Sequence, residues 1–253
     1  MVKLNPKRIV RKVIRSIGVD VIPLTPAQEF HSDAYVRHNA RRLEHLATLR
    51  IPVAGLSVLE VGAGIGDHST YYLDRGCHVT ITEARAENLR YLRARYPACD
   101  VQFLDMECPI PLESAPFDLV HCYGLLYHLR NPDQALEFLS QNTKRLLLLE
   151  TCVSFGDQEQ VNTVNELQTD PTQACSGTGC RPTRPWVFHR LKELFEFVYL
   201  PKTQPNHEEF PLDWSDPKSC KAPFSRAVFI AARAKLENPL LVPDLISQQT
   251  RHD

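Results

Sequence analysis

Short apolar runs alternate with stretches of helical period along most of the chain. Residues 57–61, 78–82, 101–104, 117–122 and 145–150 are β-branched or leucine-rich, are bounded by turn or charge signals, and read as strands. Two further runs, 196–200 and 227–232, bring the count to seven. Between them, helical spacing runs through 67–75, 85–96, 132–141 and 186–195, with Gly76 placed to cap the first helix and Pro132 suited to a first turn. Strands alternating with helices in this order predict parallel βαβ units and an α/β fold.

Two stretches break the rhythm. Residues 154–185 and 201–224 are rich in Pro, Asn, Gln, Gly and Thr and hold no sustained period. Each follows a strand, so both are expected over the carboxyl edge of the sheet as substrate lids, with decorative surface loops as the alternative. Ahead of the first strand, 33–49 is amphipathic, with Tyr35, Asn39, Leu43, Leu46 and Leu49 near one face and Arg37, Arg41 and Arg42 elsewhere. It is expected to cover the sheet edge or the ligand mouth. In 1–17, six basic residues meet no acid while Ile9, Val10, Val13, Ile14 and Ile17 recur at helical spacing. That pattern fits contact with an anionic membrane surface, and equally a helix packed on its own domain. The expected organisation is an N-terminal helical extension over 1–50, one domain over 51–235 with the two loop insertions, and a tail over 236–253.

Composition narrows the partners. With 253 residues and 43% hydrophobic content the chain can bury a sizeable core, and 29 basic against 30 acidic residues leave no broad phosphate-binding footprint. Nucleic acid is therefore the less favoured partner. No apolar run approaches the roughly 20 residues of a bilayer span, and no secretory stretch follows the basic start, so a cytoplasmic location is expected. The eight cysteines lack the density of a disulfide scaffold and read as reduced thiols. His207-Glu208-Glu209 with Asp213 shows too few ligands for a divalent cation, so no metal is expected. Arg181 and Arg184 read as solvated loop charge, with a clamp for an acidic substrate group as the alternative.

Chemistry concentrates in 57–68, Ser-Val-Leu-Glu-Val-Gly-Ala-Gly-Ile-Gly-Asp-His, where a buried strand runs into Gly62, Gly64 and Gly66 and then a helix opened by Asp67. The glycines remove side chains that would block a ligand, and the helix start presents free N–H groups. Glu83 ends the next strand 21 residues after Gly62, the separation at which a carboxylate accepts from ribose hydroxyls. The pattern reads as a nucleoside site, although its glycine spacing is not that of a pyrophosphate-binding dinucleotide loop.

The string resembles motif I of the class I S-adenosylmethionine-dependent methyltransferases. Ile-Thr-Glu83, Phe103-Leu-Asp-Met106, the strand and turn from Phe117 to Leu129, and 145–150 are similar to later motifs of that family, in order. The resemblance covers 51–233 and implies a single doubly wound, Rossmann-like sheet of seven strands, the last antiparallel, with helices on both faces. It also implies S-adenosyl-L-methionine as cofactor, wrapped by the glycines and held at the ribose by Glu83. Asp105 would accept from the adenine amino group while Met106 packs its sulfur on the ring. Glu60 is placed to orient the cofactor's ammonium end, against the alternative of a strand-end charge paired inside the protein. Tyr123 and Tyr127 would line the methyl channel, where aromatic faces suit a sulfonium; packing alone also explains them.

The implied reaction is methyl transfer, in which the protein aligns nucleophile, methyl and sulfur and excludes water. A hydroxyl acceptor would need a base, for which His128 and His121 are the nearest candidates, with Tyr127 beside them. The Asn-Pro-Pro-Tyr type of tetrad is replaced by His121-Cys-Tyr-Gly124, which disfavours adenine amino methylation. The preferred acceptor is a small molecule, sugar or lipid methylated at oxygen. Trp186, Asp213-Trp214 and the Tyr-Gly-Leu-Leu-Tyr-His turn also resemble, more loosely, the bacterial enzymes that carboxymethylate wobble uridine in tRNA. That likeness keeps a nucleic-acid acceptor with a carboxylated cofactor as one alternative; a non-catalytic nucleoside-binding module and a nucleotide-sugar or nicotinamide enzyme are others.

Overall fold

Buried strands in the middle of the chain set the architecture, which a computed structural model describes for residues 25–168, 170 and 172–252. β1 (Ser57–Val61), β2 (His78–Glu83), β3 (Asp100–Phe103), β4 (Phe117–Tyr123) and β5 (Thr143–Val153) are linked mostly through helices. The helices preceding and between them are α1 (Pro26–Phe30), α2 (Asp33–Thr48), α3 (Ser69–Leu73), α4 (Ala86–Arg95) and α5 (Pro132–Gln141). A hairpin of β6 (Val161–Asn165) and β7 (Thr178–Pro182) precedes α6 (Arg184–Leu194) and β8 (Phe197–Pro201). After β9 (Thr203–Gln204) come β10 (Ser225–Ala232), β11 (Leu241–Val242) and β12 (Thr250–Arg251).

The main sheet runs β11-β8-β10-β5-β4-β1-β2-β3. β1 is parallel to both β2 and β4, and the chain order reverses there, which opens a crevice above the carboxyl ends of these strands. β10 is antiparallel to β5 and β8, so the implied seven-stranded sheet is present. An eighth, two-residue strand, β11, lies antiparallel to β8. It falls in the stretch expected to be a tail: Leu241 and Val242 are too few to leave a period, yet they cover an edge that would otherwise expose unpaired backbone groups. Asn238 ties the same segment to the end of α2 by donating to the Leu49 carbonyl at 2.8 Å.

Both sheet faces are covered, and two apolar clusters result. Leu59, Val120, Leu147, Phe188 and Phe229 belong to one; Val58, Leu119, Leu148, Tyr72 and Phe210 belong to the other. This two-sided burial explains why the central strands read as continuous apolar runs.

The buried stripe of α2 is more polar than its spacing suggests, consisting of His38, Asn39, Arg42, His45 and Leu46. Arg42, expected on another face, is 4% exposed because β5 supplies Glu150, which is 0% exposed, as its partner at 2.8 Å. The basic segment 1–17 lies outside the described residues. No helix among the described residues is long and apolar enough to cross a membrane.

Candidate functional site

The bend after β1 places Gly62, Gly64 and Gly66 at φ of 70°, 60° and 79°, a region that strains any side-chain-bearing residue. Their surroundings differ. A Cβ on Gly62 would stand 2.9 Å from the Leu125 side chain, and one on Gly64 2.9 Å from the Phe30 ring. Both glycines line the crevice. Gly66 borders neither of its compartments; a Cβ there would strike Tyr96 at 2.5 Å and Leu92 at 2.8 Å, so it serves the packing of the bend on α4. Sequence reasoning grouped all three and missed Phe30, which α1 lays over the bend.

The larger compartment is bordered by Glu83, Asp105, Met106 and Gly62 on the sheet side and by Gln173 and Cys175 of the β6–β7 connection. Glu83 faces the bend: Oε2 accepts from the Gly64 N–H at 2.8 Å, and Oε1 accepts from Ala84 at 2.8 Å and Arg85 at 2.9 Å. Burial raises its carboxyl pKa while these backbone donors act in the opposite sense. Asp105 accepts from the Glu107 N–H at 2.9 Å through Oδ1, and Met106 is buried against the same wall.

Beyond Gly64 the crevice narrows to a polar compartment lined by Glu60, Asn39, Arg42, Asp67, His68 and Tyr123, among others. Glu60 is 2% exposed and accepts from the Ser69 hydroxyl. Burial pushes its pKa up to about 7, with the Ser69 bond pulling down and Asp67 pushing up. Three buried atoms here lack partners: Arg42 Nε, His68 Nε2 and the Tyr123 hydroxyl. His121 is committed to the core: its Nδ1 meets the Tyr72 hydroxyl at 2.8 Å and its Nε2 meets His68 at 3.1 Å. Burial lowers its pKa to about 3.

A third cavity lies on the other side of Tyr35, bordered by Tyr127, His128, Arg181, His207 and Arg226. Tyr35, on the α2 face expected over the sheet edge or the ligand mouth, borders all three spaces. His128 borders both the large compartment and this third cavity. Its Nδ1 is hydrogen-bonded to Glu166 at the end of β6, whose side chain is only 3% exposed. Glu166 is fixed in turn by the Ala174 N–H at 2.8 Å and by Arg181 at 3.2 Å. Burial lowers the His128 pKa despite the opposing carboxylate, so its imidazole is neutral at pH 7. Glu166 left no signal in the sequence, because only folding of the 154–185 segment into a hairpin brings it to His128.

Tyr127 faces the third cavity rather than the crevice, with its hydroxyl accepting from Arg226 at 3.2 Å. Arg226 also donates to Glu150 at 3.1 Å and Glu209 at 2.6 Å. Arg42, Glu150, Arg226 and Glu209 thus form a charge-compensated floor between the crevice and the cavity. Arg181 is held by Glu166, while buried Arg184 stacks 4.5 Å over Trp214, away from both.

Residues 58–147 match the sequence profile described as "Methyltransferase domain". The chain is 38% identical over 89 residues to malonyl-[acyl-carrier protein] O-methyltransferase of Enterobacter lignolyticus, a stretch covering 34% of this chain and 35% of that protein. It is 33% identical over 132 residues to tRNA U34 carboxymethyltransferase of Edwardsiella ictaluri, covering 47% of this chain and 38% of that protein. The matches therefore span little more than a third of these curated relatives. Among solved structures, the N-terminal domain of EvdMO1 with SAH and D-fucose superposes with a TM-score of 0.59 at 19% identity, covering 92% of this chain and 99% of that one. Magnesium protoporphyrin IX methyltransferase from Synechocystis PCC 6803 with bound SAM gives 0.53 at 15% identity, covering 92% and 100%. These structures share the fold. With the profile match, the sheet order and the glycine-and-carboxylate crevice on one strand–turn–helix unit, residues 58–147 are a methyltransferase domain of the class I, S-adenosylmethionine-dependent kind.

Proposed function

We propose that the chain transfers the methyl group of S-adenosylmethionine to an oxygen of a small-molecule, sugar or lipid acceptor held in the third cavity. The observation that carries this reading is the position of His128, oriented by Glu166 and bordering both the large compartment and the third cavity. In the large compartment Glu83 takes the ribose hydroxyls, Asp105 the adenine amino group, and Met106 a ring face. Glu60, ionised above its raised pKa, receives the methionine ammonium in the polar compartment. Tyr123 borders that compartment and Tyr35 stands where the spaces meet, so aromatic faces flank the path of the sulfonium.

The cofactor supplies an activated methyl and a neutral leaving group. His128 Nε2 accepts the acceptor's hydroxyl proton as the oxygen attacks, and Glu166 stabilises the resulting imidazolium through Nδ1–H. Tyr127, buried and bonded to Arg226, shapes the cavity wall. The relative named for tRNA U34 carboxymethylation favours a second reading, an RNA acceptor, against which the near-zero net charge of −1 stands. Peripheral contact of 1–17 with an anionic membrane fits a lipid acceptor and is tested by vesicle flotation with and without that segment.

A metabolite extract and total tRNA, each incubated with methyl-labelled cofactor, test the assignment. Label on an ether or ester oxygen of a small molecule, lost in His128→Gln, is the expected result. Label only in tRNA, or unchanged small-molecule labelling by the variant, contradicts it.

A further inference from the structure

The sequence offers His207 and Glu209 as an incomplete ligand pair, and the fold brings them a third donor from α2. His38 lies 169 positions before His207, yet the ligating atoms of His38, His207 and Glu209 all fall within 4.8 Å of one another. The carboxylate of Asp213, which the sequence set beside them, is engaged elsewhere: its Oδ1 accepts from the Ser215 N–H at 2.9 Å and from the Ser215 hydroxyl at 2.6 Å. His38 is 8% exposed, and its Nε2 is buried without a hydrogen-bond partner, 3.8 Å from Glu209 Oε2. A buried nitrogen left unsatisfied is costly unless something binds it.

We propose that His38, His207 and Glu209 form a three-ligand site for a divalent transition ion such as zinc, with its remaining position open to the third cavity. Two imidazoles and one carboxylate suit such an ion, and three protein ligands with one open position characterise reactive rather than purely structural zinc sites. Ligands at about 2.1 Å in tetrahedral array stand roughly 3.4 Å apart, so a small contraction closes the set. The donors are already oriented. Glu209 Oε2 accepts from Arg226 Nε at 2.6 Å, and its backbone carbonyl accepts from the Arg226 N–H at 2.7 Å. Outer partners of this kind fix a ligating carboxylate. His207 Nδ1 receives only a long 3.3 Å contact from the Glu209 N–H, so its ring is not firmly committed elsewhere.

The surrounding charge does not forbid an ion. Arg42 and Arg226 face His38, but Glu150 lies between them and pairs with both, while Glu209 compensates Arg226 again. Glu208 pairs with Arg37 at the cavity rim. An acceptor oxygen occupying the open position would be polarised beside His128; this last step rests on the methyl-transfer reading, whereas ion binding does not.

The test is cobalt and zinc titration of chelator-treated full-length protein. Wild type should bind one equivalent of Co²⁺ with visible bands, no thiolate charge-transfer band, and full displacement by Zn²⁺. H38Q and H207Q should each lose at least about tenfold in affinity, since removing even an outer partner costs roughly 10–100-fold. Both should retain S-adenosylhomocysteine binding, which shows that they fold and separates this proposal from the cofactor assignment. Absence of Co²⁺ binding by wild type, a thiolate band, or unchanged affinity in H207Q overturns the site. If H38Q does not fold, the wild-type spectrum and H207Q decide.

Discussion

Glu83→Gln separates two roles of one carboxylate. In the free protein Oε2 accepts from Gly64 and Oε1 from Ala84 and Arg85, so the side chain already ties the glycine bend to the start of α4. Glutamine offers a single acceptor oxygen and turns its NH₂ toward backbone donors. Leaving a buried donor unmatched costs about 1–3 kcal/mol, which for a domain of this size lowers Tm by roughly 2–12 °C. The ribose contribution comes in addition. A hydrogen bond to a charged group is worth about 1.5–3 kcal/mol, so cofactor affinity should fall roughly 10- to 150-fold. Calorimetric titration with S-adenosylhomocysteine, run well below the variant's Tm, measures the second effect apart from the first. A lowered Tm with unchanged affinity would mean that Glu83 only staples the bend, and the placement of the ribose would be wrong.

Further outcomes rest on the same geometry. His128→Gln should reduce kcat by about 10²–10⁴ with little change in cofactor affinity, the usual range for loss of a general base; Glu166→Gln should give a smaller loss. Because the folded His128 pKa is lowered, wild-type kcat/KM for the acceptor at saturating cofactor should fall only on the acid side, and a loss of rate as pH rises above 7 would argue against a histidine base. For Glu60 the pKa rises from 4.5 to about 7, so the fold favours the protonated acid: its stabilisation is complete below about 4.5 and disappears as pH rises through 7. Cofactor binding should therefore tighten between pH 6 and 8 and release a proton, seen as a buffer-dependent calorimetric enthalpy that Glu60→Gln abolishes; pH-independent binding would reject the ammonium contact. Glu150→Leu should cost about 3–5 kcal/mol by stripping Arg42 and Arg226 of their shared buried partner, and a melting curve matching wild type would refute that role.

The sheet was legible because its strands are buried on both faces, and two-sided burial leaves runs such as Leu146–Leu147–Leu148–Leu149 that few other arrangements explain. The bend and Glu83 were legible because a left-handed turn demands glycine and the acid sits at a fixed separation from it. What escaped depends on long-range juxtaposition. Glu166 reaches His128 across 38 positions, and Phe30 reaches the crevice from a helix too short for its period to say which loop it covers, whereas Tyr35 lies on the α2 face that the spacing already offered to the ligand mouth. Arg42 was misplaced on α2 because hydrophobic spacing cannot register a buried cation whose partner, Glu150, is 108 residues away. Gly66 matches the family pattern yet faces Tyr96, so the same residue type in one bend serves packing at one position and an open cavity at another.

A crystal structure of the full chain with S-adenosylhomocysteine tests the central claim most directly. Adenine between Asp105 and Met106, ribose hydroxyls on Glu83, and the homocysteine ammonium near Glu60, with the sulfur directed past Tyr35 toward His128, is the predicted arrangement. Ligand bound elsewhere, or an empty crevice with Phe30 still seated on Gly64 at saturating ligand, would contradict it.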